Sequence, residues 1–259
     1  MTRILYKYLD VDGAEWMLGM RKEREYPNLQ FTNATQLNDP FDCHSNLVDF
    51  SDMPRTDIFL SKEKCEKLAS LLRKQTWLCS LSKKYNTLLM WSHYCSNHHG
   101  ICVGLKMKDV KANLPVVILG TIGGGEPLEL DVDYLDVIKR PKTLSVNPWH
   151  YQLQTKAKVW KYEKEVRLVI ENHQYLFGTW LNHNVVRYKG RNIVSEWKDI
   201  HHYVELSPEC FESIYFGVNT APNEKDKIIK HMRKINPNIK LFQMRVDENA
   251  FRLNAEQIQ

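Results

Sequence analysis

Glu163, Glu165 and Arg167 occupy alternate positions of the segment Tyr162-Glu-Lys-Glu-Val-Arg-Leu-Val-Ile170. Successive side chains of an extended strand point to opposite faces, so these three share one face, and Val166, Leu168 and Ile170 share the other. Two carboxylates and a guanidinium backed by an aliphatic stripe form a polar site mounted on a core. Close carboxylates raise each other's pKa, and a neighbouring guanidinium opposes this by favouring the ionised forms. Coupled acids of this kind suit a general base and a carboxylate that stabilises a developing positive charge. The other reading of the same pattern is a charge ladder on a solvent-facing strand.

Further polar residues stand at strand and turn positions. Lys7 lies between Tyr6 and Tyr8, and alternation turns it away from both tyrosines. Ser80 and Ser82 share one face of a strand. In Asn38-Asp-Pro-Phe41, proline pushes Asp39 out of the α region and the Asn and Asp side chains bond their own backbone, which predicts a fixed turn. Trp91 and Tyr94 are three apart on a helix, either as a buried aromatic ridge or as a platform for a planar ring. His93, His98 and His99 have no Cys or Asp at zinc-ligand spacing, so no metal is expected. Gly123-Gly-Gly125 lacks the Lys and Ser/Thr of a phosphate-binding loop.

The elements that position these residues follow from periodicity. Arg3–Tyr8, Asn28–Asn33, Thr76–Ser82, Ile101–Leu105, Val116–Ile122 and Asp133–Ile138 read as strands. Helices are expected after Asp10 or Asp12, from Ser61 to about Gln75, from Asn86 to Cys95 with a positive-φ Gly100 at its end, and from Trp149 to about Trp160. Ser213–Val218, Pro222–Ile235 and Ile239–Val246 form a strand, helix, strand unit, and the tail after Phe251 is expected to be loosely ordered. Intermixed strands and helices without strict alternation indicate an α+β fold with a mixed, mostly antiparallel sheet flanked by helices. The reading is a single domain over 1–259, in which 1–170 carries the chemistry-bearing segments and 211–247 completes the sheet.

The 259 residues carry 36 Lys and Arg against 31 Asp and Glu, a net charge of +5 that favours a polyanionic partner without requiring one. The six cysteines match no metal or redox spacing and read as buried thiols. The sequence shows no charged-then-apolar leader and no membrane-length apolar run, which makes a cytoplasmic protein without membrane contact the expectation.

Four segments in order carry a family resemblance: Leu5-Tyr-Lys-Tyr8, Leu37-Asn-Asp-Pro-Phe-Asp42, Leu89-Met-Trp-Ser-His-Tyr94 closing on His99-Gly-Ile-Cys-Val-Gly104, and Trp160-Lys-Tyr-Glu-Lys-Glu-Val-Arg167. Together they resemble the bacterial and phage-defence family named domain of unknown function 2971. The resemblance continues more weakly through Ile214-Tyr-Phe-Gly217. The same residues are similar to the split active site of ADP-ribosyltransferases, with Lys7 at the basic position of the first strand, Ser80-Leu-Ser82 as the supporting strand and Glu163-Lys-Glu165 as the catalytic strand. Lys7 stands where that pattern prefers Arg or His, and Leu81 replaces its middle Thr.

The resemblance implies NAD as co-substrate, Glu165 as the main catalytic carboxylate and Glu163 as the group that activates the acceptor. Lys7, Tyr8, Asn38, Asp39, Ser80, Ser82, Trp91, Tyr94 and Arg167 would then surround the NAD. It further implies a toxin or defence effector acting on RNA, DNA or protein and held by an antitoxin or regulatory protein. Two other classes fit the same residues: an NAD or nucleoside glycohydrolase or nuclease using the same carboxylates, and a non-catalytic nucleotide-sensing module.

Overall fold

Strand β3 (Thr76–Ser82) organises the molecule because its two edges are used differently. The computed structural model describes residues 2–52, 66, 69, 70, 73, 74, 76–114, 128–142, 145–171, 186–188, 191–193 and 200–258. Along one edge, every residue of β3 pairs with β8 (Glu165–Glu171), from Thr76↔Glu171 to Ser82↔Glu165. The other edge is shared. Trp77 and Leu78 pair with β2 (Asn28–Asn33), and Ser82 alone pairs with β1 (Ile4–Leu9) at Tyr6. Cys79 to Leu81 therefore have no strand partner on that side among the described residues, and the sheet forks there.

Each arm of the fork is built on by further strands. β4 (Ile101–Lys106) pairs with β1 along its whole length, and β5 (Leu128–Asp131) covers the outer edge of β8. β6 (Asp133–Leu135) and β7 (Thr155–Ala157) form a small parallel pair, and β9 (Val186–Tyr188) and β10 (Arg191–Ile193) a small antiparallel one. β11 (His201–Glu205) extends β2. Beyond β4 lie β12 (Phe211–Phe216), β13 (Lys240–Val246) and β14 (Leu253–Ile258). Among the described residues only β12 with β13 is parallel within the main sheet, bridged by the helix Pro222–Ile235, which buries Ile228 and Met232 against the sheet. The fold is α+β with a mixed, mostly antiparallel sheet.

The aliphatic stripe of β8 packs as its alternation requires. Val166, Leu168 and Ile170 oppose Leu81, Cys79 and Trp77 and join Leu5, Val103 and Ile214 in the main core. The opposite face of the same strands carries Ser82 beside Glu165 and Ser80 beside Arg167. One strand pair thus holds the core with one face and the polar residues with the other. No helix among the described residues is long and apolar enough to cross a membrane.

Several expectations need correction. The helix expected over Trp149–Trp160 is Pro148–Gln154 only; Asn147 caps it, β7 follows, and a 3₁₀ turn runs from Lys158 to Glu163. The strand expected from Tyr162 begins at Glu165, because Lys164 adopts a left-handed φ of 48° that closes the turn. Glu163 therefore precedes the strand, and its approach to Glu165 is the work of the turn and not of alternation. The helix expected over Asn86–Cys95 spans Leu88–Tyr94, and the left-handed residues after it are Ser96, Asn97 and His98 rather than Gly100. Gly100 is needed for close approach, since a Cβ there would lie 2.2 Å from the Leu9 carbonyl oxygen.

The tail after Phe251 is ordered as β14, paired with β13 from Leu241↔Ile258 to Val246↔Leu253. The strand expected at Asp133–Ile138 stops at Leu135. The strand Val116–Ile122 and the Gly123–Gly125 loop lie outside the described residues, as does most of the helix Ser61–Gln75. Cys43, Cys79, Cys95, Cys102 and Cys210 are free and buried, as their spacing predicts, and Cys65 lies outside the described residues.

Candidate active site

A cavity of about 240 Å³ opens at the fork, walled by β1, β3, the loop after β2 and the start of β8. Strand residues at a fork keep backbone groups that no ladder satisfies, and these must find other partners. Lys7 supplies one. It is half-buried, and its Nζ donates to the Ser80 carbonyl oxygen at 3.0 Å, spanning the gap between β1 and β3. Ser82 is buried; its Oγ donates to the Glu163 carbonyl oxygen at 2.7 Å and accepts from the Lys84 N–H at 3.2 Å. Ser82 thus fixes the turn that presents Glu163, while the Ser80 hydroxyl bonds the Glu165 carboxylate.

The two glutamates converge on a cation outside the sequence motif. Lys156 of β7 donates to Glu163 Oε2 at 2.5 Å and to Glu165 Oε2 at 2.9 Å, with Asp42 Oδ2 at 3.9 Å. Glu163 Oε1 accepts from the Tyr94 hydroxyl at 2.6 Å. Glu165 Oε1 accepts from Arg167 Nε at 2.9 Å, and Arg167 Nη2 donates to Asp42 Oδ2 at 2.8 Å. Arg167 Nη1 donates to the Leu153 carbonyl oxygen at 2.8 Å, so the guanidinium anchors the cluster to the helix Pro148–Gln154. All five charged side chains are buried, Arg167 completely.

Removing ions from water costs several kcal/mol each, which only close pairing offsets. Three carboxylates face two cations here, so with every group ionised the cluster retains one negative charge. The balance falls unevenly on the two glutamates. Burial pushes Glu163 above the usual carboxylate range, the Lys156 ammonium opposes this, and the charge on Glu165 adds to it. Burial also pushes on Glu165, but Arg167 and Lys156 outweigh it and hold that carboxyl well below its ordinary value. The mutual raising expected for the pair is therefore realised at Glu163 alone. Glu165 is the fixed anion and Glu163 the group closest to exchanging a proton.

This asymmetry has a stability consequence. A carboxyl whose folded pKa is raised favours the fold below its unfolded value of about 4.3, and loses that contribution as pH rises through the folded value. Glu163→Gln is therefore expected to match or exceed the wild-type melting temperature at pH 7. The difference should shrink as pH falls through the raised folded value and be gone below about 4.3. Thermal denaturation of both proteins across this range checks it.

The other sequence candidates separate into two groups. Tyr8, Asn38 and Tyr94 line the cavity with Lys7, Ser80, Ser82, Glu163 and Glu165. Asp39, Trp91 and Arg167 do not. Asp39 accepts from the Phe41 N–H at 2.9 Å, as its turn requires. Trp91 is fully buried edge-on to Tyr8 at 5.5 Å and donates its indole N–H to the Tyr85 carbonyl oxygen. Arg167 supports the cavity floor from behind Glu165.

Asn38 and Tyr94 also border a second concavity of about 490 Å³, whose other walls include His93, Trp160 and Tyr162. The first compartment is charged and the second largely aromatic. Among the described residues no group of three His, Cys, Asp or Glu side chains is placed to hold a metal ion.

Sequence reading missed Lys156 and Asp42 as site residues. Asp42 closes the Leu37–Asp42 motif, so position alone marked it. Lys156 carried no such mark, because it was assigned to a helix.

No curated protein and no solved structure matches the chain. Residues 90–168, which contain Tyr94, Lys156, Glu163, Glu165 and Arg167, match the model of a family described as protein of unknown function (DUF2971), and that is the family this chain is similar to.

Proposed function

We propose that the protein is an ADP-ribosyltransferase that consumes NAD, releases nicotinamide and transfers ADP-ribose to an acceptor. The observation that carries this reading is the residual negative charge of the buried Asp42, Glu163, Glu165, Lys156 and Arg167 cluster at the wall of a two-compartment groove. A buried excess anion favours a ligand whose reacting centre is cationic. The pyridinium of NAD meets that requirement, and so does the oxocarbenium-like ribose formed when its glycosidic bond breaks.

In this mechanism the bond between the ribose anomeric carbon and the ring nitrogen breaks heterolytically. Nicotinamide leaves with the bonding pair as a neutral molecule. Glu165, kept ionised by Arg167 and Lys156, sits beside the positive charge left on the sugar, and it needs no reorganisation because its partners already hold it. The acceptor attacks the anomeric carbon, and Glu163 takes the acceptor proton. Lys7 at the fork supplies a point positive charge for a ribose hydroxyl or the diphosphate, and Tyr8, Asn38 and Ser80 complete the charged compartment. The aromatic compartment beyond Tyr94 suits the second planar ring of a dinucleotide.

The net charge of +5 and the family's company in defence contexts extend the proposal to a cytoplasmic effector, restrained by an antitoxin or regulatory protein, whose acceptor is RNA or DNA with protein as the other class. The test is incubation with NAD labelled in its adenylate half, in separate RNA, DNA and protein fractions, with nicotinamide release followed alongside. Label on a macromolecule supports transfer. Nicotinamide release with free ADP-ribose alone shows a glycohydrolase instead, and the absence of both rejects the reading. Charge selectivity gives a second check: NAD should bind at least about tenfold more tightly than NADH, whose reduced ring has lost the positive charge. Isothermal titration of the wild-type protein, which keeps all three carboxylates, with a carbocyclic NAD analogue that cannot release nicotinamide and with its reduced form measures the difference.

A further inference from the structure

We propose that Lys156 is the positioning residue of this site: its buried ammonium, fixed between Glu163 and Glu165, clamps the two carboxylates in one orientation and keeps Glu163 able to accept a proton. The role in transfer chemistry rests on the reading above; the clamp itself does not.

Three placements support the clamp. β7 exists only as a three-residue strand paired with β6 at Tyr134↔Lys156, and this pairing directs Lys156 into the cluster. Tyr134 in turn accepts the Glu165 backbone N–H at 2.8 Å, so the same small sheet also fixes the first residue of β8. Finally, the Trp160 ring lies within cation–π distance of the ammonium, with Nζ 5.2 Å from its centroid.

A lysine so enclosed would lose its proton without partners, yet Glu165, Glu163 and Asp42 together outweigh burial and hold it charged. Among the described residues the groups facing the pair include Lys156 from β7, Arg167 from β8, Ser80 from β3, Asp42 and Cys43 from the loop after β2, Tyr94 from the helix Leu88–Tyr94, Tyr134 from β6 and Tyr162 from the 3₁₀ turn. Lys156 is the only one of these whose contacts reach both glutamates with charge, because Arg167 touches Glu165 but not Glu163. Without it, Glu163 keeps a phenol as its one listener on the cavity side and faces the Glu165 anion unshielded. It would then take up its proton at higher pH and no longer be free to accept one from an acceptor.

The experiment is carbon-13 NMR of the full chain labelled at the glutamate carboxyl carbons, comparing wild type, Lys156→Met and Lys156→Arg, with Glu163→Gln used to assign the resonance. In Lys156→Met the Glu163 titration midpoint should rise by roughly one to three units, while Lys156→Arg, which keeps the charge, should stay near wild type. An unchanged midpoint in folded Lys156→Met overturns the proposal. Should Lys156→Met fail to fold, the wild-type ammonium decides. Its side-chain nitrogen resonance must remain that of a protonated amine at pH values where exposed lysines titrate, and titration together with them overturns the clamp.

Where nicotinamide release is measurable, the acid limb of its kcat profile should move upward in Lys156→Met in step with the NMR midpoint. A wild type that releases no nicotinamide would reject the transferase reading and leave the NMR result to judge Lys156 alone.

Discussion

Glu165→Gln should lower the rate of nicotinamide release by about 10²–10³-fold, the loss typical of deleting one preorganised charge from a transition state. Gln keeps the shape of the side chain and one acceptor oxygen, so the substitution removes charge more than volume. In the ground state the cost to NAD binding is smaller, because the positive charge moves onto the ribose only as the glycosidic bond lengthens. The expected signature is therefore a fall in kcat that exceeds the rise in KM. The variant also loses part of its pairing with Arg167 and Lys156, so its folded fraction must be measured alongside by urea titration. A folded Glu165→Gln protein that releases nicotinamide at the wild-type rate would remove Glu165 from the mechanism.

How much of this site could be read from the chain depends on whether its contacts are local. The Glu165, Arg167 face of β8 was legible, because Val166, Leu168 and Ile170 between them leave only one face for charge. Ser80 and Ser82 were legible for the same reason, with Cys79 and Leu81 turned to the core. Glu163 was found by spacing but misplaced by one element, since a left-handed residue with a side chain, Lys164, leaves no mark that glycine would. Lys156 was invisible. A three-residue strand is too short to show a period of two, and Trp149, Leu153 and Trp160 around it read as a helical face.

The fork itself depends on pairings between residues more than 70 positions apart, Tyr6 with Ser82 and Ser82 with Glu165, which no local pattern encodes. β14 escaped for a different reason. As an edge strand it buries little beyond Leu253, so its polar sequence Asn254, Glu256 and Gln257 resembles a tail.

Arg167→Met should destabilise the protein by about 3–5 kcal/mol at pH 7, because it leaves Glu165 and Asp42 as buried anions with Lys156 as their remaining cation. The pH dependence separates this loss from simple loss of packing, and its sign follows from the Glu165 carboxyl. In the wild type that group lies below its ordinary value, so its contribution is present above an unfolded value of about 4.3 and disappears as pH falls through the folded one.

Without the guanidinium, the Lys156 ammonium alone opposes burial and the neighbouring Asp42, and the folded carboxyl moves above the unfolded value. Its contribution then reverses: the fold is favoured by protonation and weakened as pH rises. Urea midpoints measured at pH 7 and pH 4.5 should therefore rise on acidification for Arg167→Met relative to the wild type. A variant that is equally destabilised at both values would mean that Arg167 supports the site by filling space, and that its charge is not what holds Glu165 ionised.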